Sequence, residues 1–300
     1  MNETRVIVVV LNWNGKADTL ECLESLKRVH YPGHKIVVVD NGSTDDSVEA
    51  IRSLYPDTEI FVNQTNLGYA GGNNVGLRRA IALGVPYFLV LNNDTVVDPD
   101  FLRELFDVAE SDKTIGVVGP AVYDYGIKDR IQELGGKILW KSGQVIPVPT
   151  YDAISGSFPK YIEVDTVCGC CFLGRVELLE KVGFLDEDFF SHWEEYDWHT
   201  RVKRNGYRVV YAGNARIWHK AGQSSRKLTG FKDYYNARNR VLFMKKNASR
   251  GQLLLFLVYL FGFNFWTIGF GLAVHRRNPT AFLSFLKGTA SGVAALLVSR

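Results

Sequence analysis

Several short polar segments carry residue types able to hold a nucleotide or move a proton, and three of them directly follow apolar runs. Asn12-Trp13-Asn14-Gly15 follows 6–11, Asp40-Asn41-Gly42-Ser43-Thr44-Asp45 follows 35–39, and Asn92-Asn93-Asp94-Thr95 follows 87–91. A carboxylate at the end of a buried strand, ahead of a turn and a helix start, is placed to accept a base N–H or a ribose hydroxyl. Asp40 meets that description, although the same residue types also make a plain turn and helix cap. Asp94 is an isolated acid able to reach a divalent ion that bridges two phosphates. Mg²⁺ is typically held by one or two carboxylates plus substrate phosphates, so one acid suffices. Downstream, Trp193-Glu194-Glu195-Tyr196-Asp197 puts three acids in the first turn of a helix, suited to proton transfer or to the helix dipole. His219 is a single histidine at the end of a strand-like run, which reads as a structural residue or as a ligand.

Asn66-Leu67-Gly68-Tyr69-Ala70-Gly71-Gly72-Asn73-Asn74 has neither the lysine of a P-loop nor the spacing of a dinucleotide fingerprint. Its glycines allow a backbone to approach a nucleotide closely, or make a glycine-rich helix entry. The cluster Cys168-Gly169-Cys170-Cys171 is too tight for a zinc site and reads as strand packing.

Positioning these groups falls to alternating elements. Strands are expected at 6–11, 35–39, 59–62 and 87–91, and helices at 19–28, 45–54 and 74–83. Such alternation implies crossovers and a mainly parallel sheet with ligands at the carboxyl ends of its strands. From about 111 shorter strands are expected, among them 116–122, 131–139 and 166–173, with helices at 175–182 and 194–205 and a strand at 207–211.

Taken in order, these segments resemble the family 2 glycosyltransferases of the GT-A fold, most closely their rhamnosyltransferase-like branch, over roughly residues 5–245. The likeness is carried by 8–15, 40–45, 66–74, Leu91-Asn92-Asn93-Asp94, the 183–190 run, Glu194-Glu195-x-Asp197, and Trp218-His219-x-x-Gly222. It implies an α/β GT-A nucleotide-diphospho-sugar transferase fold whose mainly parallel central sheet is flanked by helices. It implies a donor site from Asn12, Asp40, Asn66, Gly68, Gly72, Asn73, Asn92 and Asn93, with Asp40 at the base and Asn92 near the ribose. Asp94 and His219 would ligate Mg²⁺ or Mn²⁺, and Glu195, flanked by Glu194 and Asp197, would be the general base. Two positions depart from the family's habit: Asn92 stands where its metal motif often begins with Asp, and Glu194-Glu195 where Glu-Asp is common.

The implied reaction is inverting transfer from a UDP- or dTDP-sugar, dTDP-rhamnose among them, to a glycan or lipid-linked acceptor in cell-surface polysaccharide synthesis. Rivals are a nucleotidyltransferase, for which no glycine-rich loop with a basic residue is evident near the N-terminus, and a non-catalytic membrane-tethered nucleotide-sugar-binding protein. With 35 basic against 32 acidic side chains, no nucleic-acid partner is expected. Four cysteines without a spaced framework point to a reducing compartment, and no signal peptide opens the sequence, so the catalytic part is expected in the cytoplasm.

Residues 252–274 contain no Asp, Glu, Lys or Arg. At ~1.5 Å per residue a helix there is roughly 34 Å long, near the thickness of a hydrocarbon core. The expected organisation is a GT-A domain over 1–225 with a nucleotide-binding half (1–110) and an acceptor and catalytic half (111–225), a basic connecting helix over 226–250, and a membrane-associated tail over 251–300. The tail reads as a single span or as an interfacial helical pair on the cytoplasmic face, and basic residues flank it on both sides. Arg238 and Arg240 in the connecting helix would meet an acceptor phosphate or form a solvated basic face.

Overall fold

The computed structural model describes residues 4–127, 129–148, 159–220, 229–275 and 277–297. Gly222 and most of the 142–160 stretch that is neither strand nor helix by pattern lie outside the described residues.

β1 (Val6–Asn12), β2 (His34–Asp40), β3 (Glu59–Val62) and β4 (Tyr87–Asn92) are parallel, joined through helices α1 (Lys16–Leu26), α2 (Ser47–Leu54) and α3 (Gly68–Ala82). Helices cover both faces, so central strands are apolar runs: Val6 to Val10 are wholly buried. The register fixes the site. Asn12 pairs with Asp40, Leu11 with Asn92 and Asp40 with Val62, so the polar residues that end each run come level on one edge.

After Asn93-Asp94 the chain turns into β5 (Thr95–Val97), then α4 (Phe101–Ser111), β6 (Ile115–Asp124), β7 (Ile131–Glu133), the hairpin β8 (Gly136–Leu139) and β9 (Gln144–Pro147), and β10 (Ile162–Val164). β11 (Cys171–Arg175), α5 (Glu177–Val182), a 3-10 turn (Glu187–Phe189), α6 (Glu194–Arg204) and β12 (Arg208–His219) follow. The sheet runs β3-β2-β1-β4-β11-β6-β12-β10, with β5 on β12 and β7 on β6. The expectation of a mainly parallel sheet holds for the first four strands. Beyond β4 the sheet is mixed, because β11 enters antiparallel between β4 and β6. β12 slips register between Ala212 and Arg216, and beyond that bulge it pairs His219 with Thr95.

Three expected elements shift. The helix expected from 74 starts at Gly68, because its glycines pack: a side chain at Gly72 would lie 2.5 Å from Leu11 Cδ1, and one at Gly71 2.9 Å from Leu67 Cβ. The strand expected over 131–139 breaks at Gly135, whose φ of +140° and 2.8 Å Cβ approach to the Thr166 carbonyl exclude a side chain. The strand expected over 166–173 begins only at Cys171. Cys168 and Cys170 lie in the preceding turn, where Cys171 N–H donates to the Cys168 carbonyl at 3.3 Å, so strand packing describes Cys171 alone.

The C-terminal part consists of α7 (Phe231–Asn247), α8 (Arg250–Tyr259), α9 (Phe265–Phe270) and α10 (Pro279–Leu297), with π-helical turns at Leu260–Asn264 and Gly271–His275. A capping box starts α8: Ser249 Oγ accepts Gln252 N–H at 3.3 Å and Gln252 Oε1 accepts Ser249 N–H at 2.9 Å. Two stretches, Arg250–Val274 and Pro279–Leu297, are long and apolar enough to cross a membrane, and only 22% and 28% of their apolar windows are buried. α10 lies along α7, with Gly292 so close that a Cβ would meet the Arg238 carbonyl at 2.8 Å.

Candidate active site

Asn12 joins the ends of the parallel strands. Its Nδ2 donates to Asp40 Oδ2 at 2.7 Å and Ser43 Oγ at 3.2 Å, while its Oδ1 accepts from Thr19 Oγ1 at 2.8 Å, Asn93 Nδ2 at 3.1 Å and Gly15 N–H at 3.2 Å. Asp40 Oδ1 accepts Ser43 N–H at 2.9 Å, and both Asn12 and Asp40 have no exposed surface. The carboxylate of Asp40 therefore shapes the 40–43 turn, and a base N–H would have to share an oxygen with these donors. Asn93 is likewise an internal bridge, donating also to Thr19 Oγ1 at 2.9 Å.

Asn66 opens α3, its Oδ1 accepting Gly68 N–H and Asn41 Nδ2, each at 2.8 Å. Gly68, at φ +75°, lets the chain pass against Phe190, whose carbonyl accepts Tyr69 N–H at 2.6 Å. At Gly68 and Gly72 an added Cβ would meet Phe190 and Leu11, so both positions are packed against protein atoms. Asn73 donates to the Tyr69 carbonyl at 3.0 Å, and its Oδ1 is buried without a partner among the described residues. Asn92 is half-buried at the strand end, its carbonyl accepting Thr95 Oγ1 at 2.6 Å.

The bulge in β12 brings His219 to Asp94. His219 Nε2 lies 3.2 Å from Asp94 Oδ1, and both side chains are nearly buried. His219 Nδ1 faces Gln132 Oε1 at 3.0 Å, so the ring sits between that amide oxygen and the Asp94 carboxylate. The ring's Nε2 is buried with no hydrogen-bond partner among the described residues. Two adjacent ligands on an ion with bonds of about 2.1 Å stand roughly 3 Å apart, so the pair fits Mg²⁺ or Mn²⁺. Among the described residues no cluster of three or more His, Cys, Asp or Glu side chains could hold a metal.

α6 presents the acids. Glu194 is 3% exposed, and one carboxyl oxygen of each of Glu194 and Glu195 is buried without a hydrogen-bond partner among the described residues. Gly169 leaves room for Glu195, since a Cβ there would stand 3.0 Å from Oε1. Burial pushes Glu195 up to about 7, opposed by backbone N–H groups at the helix start and reinforced by the charge of Glu133. Burial and then the charge of Glu195 push Glu194 well above the carboxylate range. Asp197 differs: it accepts from Arg201 Nε at 2.8 Å and Asn247 Nδ2 at 2.7 Å, which ties α6 to α7. Of the three acids expected to do chemistry, this one serves as an anchor.

The loop before α6 is strained. Phe190, His192 and Trp193 all have positive φ (62°, 68° and 79°). Asn239 holds it: its Nδ2 lies 2.8 Å from each of the carbonyls of Phe189, Ser191 and His192, so two hydrogens serve three acceptors. Arg238 donates to the Asp188 carbonyl at 2.8 Å, and Arg240 to the carbonyls of Gly143 (3.0 Å) and Ser142 and to Asn264 Oδ1. Both arginines are engaged with protein oxygens.

Sequence reasoning missed Asn239, Glu133 and Lys220. Burial raises the Glu133 carboxyl, against the opposing influence of Cys168, His219 and Lys232. Lys220 N–H donates to the Asp94 carbonyl at 3.0 Å, and its ammonium binds Asp18 at 2.6 Å and Glu21 at 2.5 Å, tying the end of β12 to α1. Only the neighbouring motif residues hinted at these positions.

Residues 6–183 match the model of the family described as Glycosyl transferase family 2. The chain is 24% identical over 238 residues to the low-salt glycan biosynthesis hexosyltransferase Agl10 of Haloferax volcanii, covering 78% of this chain and 74% of that one. It is 27% identical over 207 residues to the N-acetylglucosaminyl-diphospho-decaprenol L-rhamnosyltransferase of Mycobacterium tuberculosis, covering 63% and 67%. In fold it is similar to the mannosyltransferase PcManGT of Pyrobaculum calidifontis, solved with GDP-Man and Mn²⁺, at a TM-score of 0.59 and 19% identity, covering all of this chain and 77% of that one.

Proposed function

The chain belongs to glycosyl transferase family 2 and has a GT-A fold, and from that premise we propose that it is a metal-dependent, inverting hexosyltransferase working at a membrane surface. The donor is a UDP- or dTDP-sugar, dTDP-rhamnose among the candidates, and the acceptor a glycan or lipid-linked glycan of a surface polysaccharide. The observation that carries this reading is the meeting of His219 Nε2 and Asp94 Oδ1 at 3.2 Å at the strand ends, in a chain that also buries the Glu194 and Glu195 carboxyl oxygens at a helix start.

Asp94 and His219 would hold Mg²⁺ or Mn²⁺, which when bound supplies positive charge to the donor diphosphate. Glu195 takes the proton of the acceptor hydroxyl as its oxygen bonds to the anomeric carbon and the bond from that carbon to the diphosphate oxygen breaks. One displacement inverts the carbon. A base near pH 7 is half in its accepting form at neutral pH, and Glu194, kept protonated, avoids a second buried charge. Asn12, Asp40, Asn66 and Asn93 act by fixing the loops on the donor side, Gly68, Gly72 and Asn73 by setting α3 against them, and Asn92 by lining the mouth. The tail, 251–300, holds the catalytic domain at the cytoplasmic face.

The test is release of nucleoside diphosphate from UDP- and dTDP-sugars by the full chain in detergent, with Mn²⁺, Mg²⁺ or chelator. Release that requires the metal and rises with acceptor supports transfer. Pyrophosphate released from a nucleoside triphosphate instead would mark a nucleotidyltransferase, and donor binding without turnover a binding protein.

A further inference from the structure

A cavity of about 690 Å³ opens between α7, the hairpin β8–β9 and the C-terminal helices. That is the size of pockets that hold one small ligand, ~300–1,000 Å³. Its walls differ in chemistry. Trp193, the residue before the acid pair, lines it together with Lys232 and Asp233 from the first turn of α7, whereas Ile268, Leu272 and Phe285 line it from the tail. The apolar wall continues onto the outside of the same helices, where Phe263, Trp266, Phe270 and Val274 are all at least half exposed. Charge is equally one-sided. Arg240 lines the cavity, but its guanidinium is committed to Ser142, Gly143 and Asn264. Lys232 is exposed, has no ion pair among the described residues, and lies near enough to His192 and Glu133 for its charge to act on both.

A ligand that fits carries an anionic group for Lys232 and hydroxyls for Asp233 at the polar wall, and is greasy where it leaves along the tail. Neither a free sugar nor a plain lipid has both. We propose that this cavity is the acceptor subsite for a sugar phosphate carried on a long-chain lipid, of which the lipid phosphate is the minimal probe. Lys232 pairs with its phosphate, Asp233 accepts sugar hydroxyls, and Ile268, Leu272 and Phe285 hold the start of the chain. The remainder runs over the exposed tail face into the bilayer, so the tail is part of the substrate site as well as an anchor. This rests on the glycosyl-transfer reading, and it selects the lipid-linked acceptor over a soluble glycan.

The test is binding of decaprenyl phosphate to the full chain in detergent, beside decaprenol and inorganic phosphate, with Mn²⁺-dependent UDP binding measured on the same samples. Decaprenyl phosphate should bind, and decaprenol and inorganic phosphate at least tenfold more weakly. Lys232→Glu should weaken decaprenyl phosphate tenfold or more and leave decaprenol as it was. Leu272→Trp, which fills the apolar end, should weaken both lipids, and neither variant should change UDP binding. Equal binding of decaprenol and its phosphate, equal binding of inorganic phosphate, or wild-type affinity in Lys232→Glu would overturn the proposal. Failure of the wild type to bind either UDP or dTDP with Mn²⁺ would instead strike the transferase reading, so the two failures are told apart. Lys232 is on the surface, so its variant remains decisive if Leu272→Trp does not fold.

Discussion

Around Asn12 the buried polar groups are bonded at both ends, whereas around α6 buried oxygens and ring nitrogens are left over. Asn12, Thr19, Asp40 and Asn41 share one hydrogen-bonded network across three strand ends. Glu194, Glu195 and His192 each keep a buried atom without a hydrogen-bond partner among the described residues, in or next to a loop with three positive φ angles. Such orphaned groups are costly to bury and persist only where the surrounding structure enforces them. On the proposed function the first region is scaffold for the donor and the second the reacting centre, so substitutions should separate: stability at the first, turnover at the second.

The largest effect that would sharpen this contrast is at Asp94. Asp94→Ala should abolish transfer and remove Mn²⁺-dependent nucleotide binding with little change in melting temperature; undiminished Mn²⁺-dependent affinity in a calorimetric titration breaks the assignment. Next comes Asn239, which positions the loop without reaching substrate. Asn239→Ala should lower kcat by about 10²-fold, the cost of a displacement near 1 Å, while the donor KM holds. A drop only in folded fraction, with kcat per folded molecule intact, would make it merely structural. Asn12→Ala should act the other way, leaving Asp40, Thr19 and Asn93 without their partner and costing about 1–3 kcal/mol of stability in denaturant unfolding. Unchanged stability there would erase the distinction between the regions.

The smallest effect concerns pH. Because the folded state raises the Glu194 pKa above its usual 4.5, it binds that proton more tightly than the unfolded chain, and the stability this gives is lost as pH rises from 4.5 through the folded value. Glu194→Gln should therefore melt above wild type at pH 8 and level with it near pH 4.5. The opposite order would show that Glu194 is stabilised as an anion.

Much of the donor side was legible because parallel strands buried on both faces read as unbroken apolar runs, so Asn12, Asp40 and Asn92 stood out as the residues that end them. Their roles were not legible. Whether Asp40 faces a ligand or its own turn depends on Ser43 and Asn12, which the register brings together across β1 and β2. The start of α3 at Gly68 was hidden because glycine disfavours helix in isolation; contacts with Leu11 and Leu67 outweigh that. Asp197 was indistinguishable from Glu194 and Glu195 until Arg201 and Asn247 were seen to take its oxygens. Asn239 and Glu133 are brought to the site by α7 and by a three-residue strand, neither of which shows a periodicity that points there.

The most direct test is the pH dependence of turnover for wild type and Glu195→Gln. With Glu195 at about 7 in the free protein, wild-type kcat/KM should be level above that pH and fall tenfold per unit below it. Glu195→Gln should lose ~10²–10⁴ in kcat and its acid limb, with donor affinity and metal dependence unchanged. Near-wild-type turnover in Glu195→Gln, beside an inactive but folded Asp197→Asn, would contradict the account and move the base to Asp197.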